Sequence, residues 1–102
     1  MKECCRQFLN DQFGGDEDVV NEIYAEYVSS INQKTEEALL AFVKADWDTL
    51  DSVAHAVKGN ALATGDTELA DTAIALRSAA KLHDEAESRR LVGRIKELRA
   101  TL

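Results

Sequence analysis

From Glu17 to the C-terminus the chain keeps one apolar rhythm, a large side chain every three or four residues, and no proline interrupts it anywhere in 102 residues. Apolar residues at that spacing line one face of a helix, whereas a half-buried strand would alternate. Short polar or glycine-bearing breaks divide the rhythm. Lys2 to Phe13 carries Cys5, Phe8, Leu9 and Phe13 at helical spacing and reads as a short helix laid across one end. Gly14 and Gly15 end it, with Asp16 as the next N-cap and Glu17 and Asp18 in the first turn. The pattern then runs to about Lys44 with two stripes, Val20, Tyr24, Tyr27 and Ile31, then Ala38, Leu39, Phe42 and Val43. The second is rotated against the first, which predicts a bend near Ser30 to Lys34 or a change of packing partner. Ala45 to Trp47 forms a turn with Asp46 as N-cap, and a helix follows to Thr64. Gly65 suits a left-handed stop, and Asp66 or Thr67 caps the next helix. That helix carries Leu69, Ala73, Leu76 and Ala80. After a break at His83 and Asp84, where His83 reads as a solvated helix-end residue, Leu91, Ile95, Leu98 and Leu102 repeat the spacing. The expectation is all-α: an antiparallel up-down four-helix bundle over residues 16–102 with a short extra N-terminal helix in 1–13, one domain in all.

Composition narrows the function. Lys and Arg number 12 against 19 Asp and Glu, a formal charge of −7. An acidic chain without a basic stripe repels nucleic acid and anionic membrane. No apolar run approaches the roughly 18 residues that a membrane span needs, and no signal peptide is expected. Cys4 and Cys5 are adjacent, cannot staple a fold and offer no ligand spacing with His83, so they read as small, partly buried apolar residues. No metal site is expected. These points favour a cytoplasmic monomer, and Met1 favours a free-standing protein.

One stretch does not serve the core. With Val57 facing inward and roughly 100° per residue, Leu50, Val53, Ala54, Ala61 and Thr64 gather on the core side. His55 falls on the water side with Lys58, Gly59 and Leu62 as its neighbours, Lys58 and Gly59 at the three and four spacings that share a helix surface and Leu62 two turns on. A mid-helix glycine costs about 1 kcal/mol relative to alanine, so Gly59 calls for a reason: close helix packing, or room for something that must reach His55. Leu62, apolar on an exposed face, reads as part of a docking patch. Val19 and Ile23 widen the first stripe beyond one buried seam, leaving an apolar margin for a partner or for the N-terminal segment.

His55, Lys58, Gly59 and Gly65, in the order His-x-x-Lys-Gly, five residues, Gly, resemble the signature of histidine-containing phosphotransfer (HPt) domains, with Ala45 to Trp47 preceding the histidine helix at the family's spacing. Asn60 and Ala61 stand where the family often has serine, and Asp66 where it often has a small or apolar residue. The resemblance implies a phosphorelay carrier that takes a phosphoryl group on His55 from a receiver-domain aspartate and passes it to another receiver. Partners would be receiver domains of response regulators or hybrid histidine kinases. The chain would hold no cofactor, and Mg²⁺ would come with the receiver.

The residues fit that chemistry. A neutral imidazole is a competent nucleophile near neutral pH. Phosphorylation adds roughly −1.5 to −2 charges on a face that already carries Asp48 and Asp51, and Lys58 is the nearest cation to offset them. Asp51 also belongs to the surface that a partner would touch. No ATP-binding fold fits beside the bundle, so no kinase activity of its own is expected. Two alternatives stand beside this: a non-phosphorylated helical interaction module that binds a receiver domain or kinase, and a hydrolase using Asp51 and His55 as an acid–base pair.

Overall fold

The computed structural model describes residues 1–102, with five α-helices and no strand. They are α1 (Glu3–Phe13), α2 (Glu17–Val43), α3 (Trp47–Thr64), α4 (Thr67–Lys81) and α5 (Glu85–Arg99). α3 packs against α2 and α4, and α5 closes the ring between α4 and α2, as in an up-down bundle with short turns. α1 lies against α2 and α3 at one end of a body measuring 43 × 19 × 18 Å.

The turns share one device. A residue in the left-handed region is followed at once by an aspartate: Gly15 (φ 77°) and Asp16, Ala45 (φ 54°) and Asp46, Gly65 (φ 77°) and Asp66, His83 (φ 52°) and Asp84. Each aspartate side chain accepts from the amide three residues on, at Val19, Thr49, Leu69 and Glu87. At three of the turns the aspartate's own amide reaches back five residues, to the carbonyls of Ala41, Ala61 and Ala79. One residue therefore closes the preceding helix and opens the next, and each such cap is worth about 1 kcal/mol. The Thr49 hydroxyl also donates to Asp46, and with the Thr49 amide it holds that carboxyl below its usual range.

The core stripe of α2 is continuous: Val20, Tyr24, Tyr27, Ile31, Thr35, Ala38 and Ala41 are buried. The expected rotation to a second stripe does not occur in that form. Thr35 bridges the two halves, fully buried because its hydroxyl donates to the Ile31 carbonyl at 2.7 Å. Leu39 and Phe42 flank the seam half-buried, and Val43 is 79% exposed. Between α3 and α4 the buried side chains are often alanine (Ala54, Ala61, Ala70, Ala73, Ala80), which lets the two helices approach closely.

α1 is anchored by three kinds of contact. Leu9 and Cys5 are fully buried, while Cys4 is exposed, so neither cysteine is partly buried as expected. Burial pushes the Cys5 thiol up to about 12. Phe8 lies on Gly65, where a Cβ would come within 2.4 Å of the Phe8 Cβ. Asp66, wholly buried, receives the Lys2 ammonium at 2.7 Å, the Tyr27 hydroxyl at 2.8 Å and the Leu69 amide. An aspartate can stand at this position because all three donors meet it. At the other end His83 is exposed to solvent yet stacks on Trp47, with centroids 5.4 Å apart and planes 13° apart.

Candidate functional site

α3 is held from behind. Leu50, Val53, Ala54, Val57, Ala61 and Thr64 are buried along its inner face and fix its rotation. Its outer face therefore presents His55 exposed, Lys58 half-buried, Gly59 exposed and Leu62 52% exposed. A Cβ built on Gly59 meets no atom within 4 Å. Close helix packing within this chain is thus not its reason. Gly59 and Ala63 flank the histidine on the side of α2, while Asp51 and Lys58 flank it on the side of α4.

The nearest partner of the imidazole comes from α4. Arg77 Nη1 lies 3.0 Å from His55 Nδ1, and Arg77 Nε donates to Asp51 Oδ1 at 2.9 Å. The carboxylate that stands one turn before the histidine is thus paired with Arg77, and the structure gives it no bond to His55. The pair needed for acid–base hydrolysis is not assembled. Arg77 escaped the sequence reading although it left a signal: between Asp71 and Lys81 it is the one charged residue, set among Ala73, Ile74, Ala75 and Leu76. Ile74, one turn before it on α4, is 46% exposed and extends the apolar surface around the site.

The remaining residues singled out in the sequence lie on the flanks. Ile23 packs half-buried against the core and borders a cleft of about 260 Å³ between α2 and α3, beside Ser30 and Asn60. Asn60 donates to the Ser30 hydroxyl oxygen at 2.8 Å, which ties α3 to α2 where the family often has serine. Val19, one turn earlier on α2, is half-buried. Leu62 borders a second cleft of about 420 Å³ beneath α1, with Phe8, Gly65 and Asp66. Gly65 ends α3 at φ 77°. The structure thus brings His55, Lys58, Gly59 and Leu62 onto one face and leaves Val19 and Ile23 on the adjoining helix.

No group of three or more His, Cys, Asp or Glu side chains is placed to hold a metal ion, and no helix is long and apolar enough to cross a membrane. What remains is an exposed imidazole on a rigid helix, with an arginine and a lysine on one side and open space on the other. A family model described as Hpt domain matches residues 22–102. No curated protein and no solved structure matches the chain. A bundle displaying one histidine beside two cations, matched over most of its length, belongs to the Hpt domain family, the non-catalytic phosphohistidine carriers that exchange phosphoryl groups with receiver domains in two-component phosphorelays.

Proposed function

We propose that His55 is the residue that carries the phosphoryl group, that Lys58 offsets the arriving charge, and that Gly59 keeps the approach clear for the receiver's loops. The observation that supports this most is the open space at Gly59 beside an exposed histidine: an unfavourable helix residue that nothing inside the chain requires. Leu62, with Ile23, Val19 and Asp51 at its margins, forms the surface on which the receiver docks. The exposed apolar area of Leu62 and Ile74 fits that use. The receiver brings the Mg²⁺ that phosphoryl transfer requires. We take residues 1–102 as one unit in which α1 is part of the domain, acting as a monomer. We place it in the cytoplasm, where kinases that draw on ATP charge its donors.

Incubation with a radiolabelled phosphorylated receiver domain tests the assignment. Acid-labile, base-stable label on the wild type and none on His55→Gln is the expected result. Equal labelling of both proteins would move the phosphoryl group to another residue.

A further inference from the structure

We infer that Arg77, braced by Asp51, sets which nitrogen of His55 carries the proton: it holds the free imidazole as the Nε2–H tautomer and is matched to the ring once Nε2 bears a phosphoryl group. This rests on His55 being the carrier residue. A guanidinium has five N–H donors and no acceptor. With Nη1 3.0 Å from Nδ1 and Nε held by Asp51 at 2.9 Å, Arg77 requires a lone pair on Nδ1. A neutral imidazole has a single N–H, which then stands on Nε2, the nitrogen that no side chain of this protein engages. His55 and its contact with Arg77 are exposed, while the Arg77–Asp51 pair that braces the guanidinium is partly shielded, each side chain 27% exposed.

In that tautomer neither nitrogen is a free nucleophile. Nδ1 spends its lone pair on Arg77, and Nε2 has none to give. Reaction at Nε2 requires the proton to leave that nitrogen and water to supply one at Nδ1, where it would face the Arg77 donor. Arg77 must therefore withdraw before the ring can attack. In the transfer itself the Nε2 lone pair forms the N–P bond, the P–O bond to the receiver's aspartate breaks, and its electron pair leaves with the carboxylate. The Nδ1 proton then passes to water, leaving a neutral ring phosphorylated at Nε2. That ring again offers a lone pair at Nδ1, and Arg77 returns to it, now also a cation beside the added charge. The reverse step needs Nδ1 protonated, which Arg77 opposes. The pair thus favours the loaded carrier over the reactive free one and slows the loss of the phosphoryl group between encounters with receivers.

The test has two arms. Ring nitrogen NMR on the unloaded, ¹⁵N-labelled chain is recorded at mildly alkaline pH, where histidine rings are neutral, with His83 as reference in the same spectrum. Wild type should show His55 as Nε2–H. Arg77→Gln should shift it towards Nδ1–H, because a glutamine carbonyl accepts where a guanidinium cannot. A wild-type ring already protonated on Nδ1, or a tautomer ratio unchanged in Arg77→Gln, would overturn the inference. In the second arm the lifetime of the phosphorylated chain, freed of receiver, should shorten about tenfold in Arg77→Gln, the loss of one charge-assisted hydrogen bond, with Asp51→Asn between the two. Equal lifetimes would overturn it as well. The first arm needs no phosphate, so a finding that another residue is labelled would sink the carrier assignment and leave the tautomer result readable.

Discussion

Because a Cβ at position 59 meets nothing within 4 Å, Gly59→Ala should add about 1 kcal/mol to folding stability through helix propensity alone. A large side chain there, as in Gly59→Gln, should keep most of that gain in urea unfolding while slowing phosphoryl transfer from a receiver at least tenfold, if the space is reserved for a partner. Loss of stability together with loss of transfer would point instead to packing. The residues beside His55 on its own helix were legible, since spacings of three and four fix Lys58 and Gly59 as its surface neighbours and a spacing of seven puts Leu62 on the same face two turns on. Arg77 was not. It lies 22 positions away, and the contact depends on the register in which α3 and α4 pack, which hydrophobic periodicity does not encode.

The helices themselves were plain in the apolar spacing, and Asp16, Asp46 and Gly65 were readable as caps and a stop. Less visible was that Ala45 and His83 take the same left-handed geometry as Gly65, because nothing in an alanine or histidine announces positive φ. Ala45→Gly removes the Cβ strain of that geometry. It should raise stability by about 0.5–1 kcal/mol, read as a higher midpoint in denaturant with an unchanged slope. The α2 stripe was misjudged at Thr35, a polar residue that enters the core by bonding its own helix. Tyr27 carries an alkaline sensitivity. Burial first, and then its bond to Asp66, push its hydroxyl well above the ordinary tyrosine value of 10.0. The unfolded chain therefore loses that proton first. Stability from Tyr27 is complete below about pH 10 and falls as pH rises further. Tyr24, raised chiefly by burial, acts in the same direction, as does Lys2, where burial lowers the ammonium but the bond and charge of Asp66, together with Cys4 and Glu68, raise it on balance. Tyr27→Phe should cost about 2 kcal/mol at neutral pH, the value of a hydrogen bond to a buried carboxylate. It should also flatten the alkaline limb, as unfolding at neutral pH and above the tyrosine range would show.

For the molecule as a whole, α1 decides how far the domain extends. The Hpt model begins at residue 22, yet Leu9, Cys5 and Phe8 cover the end of the bundle and Lys2 neutralises the buried Asp66. Deletion of residues 1–13 should therefore lower stability by about 3 kcal/mol or more, from lost apolar burial and an uncompensated carboxylate. Thermal unfolding of the shortened chain checks this, and an unchanged midpoint would make α1 an accessory. That a segment outside the four-helix pattern closes this end was expected from its amphipathic spacing. Its anchor, Lys2 on Asp66, was hidden by 64 residues of separation. The account turns on one histidine placed by this architecture, and the most direct measurement is the intact mass of wild type and His55→Gln after brief exposure to a phosphorylated receiver. One added phosphoryl group on the wild type, lost on acid treatment and absent from the variant, is the predicted result. A folded wild type that gains no mass from any of several receivers, or a variant that gains as much, would contradict it.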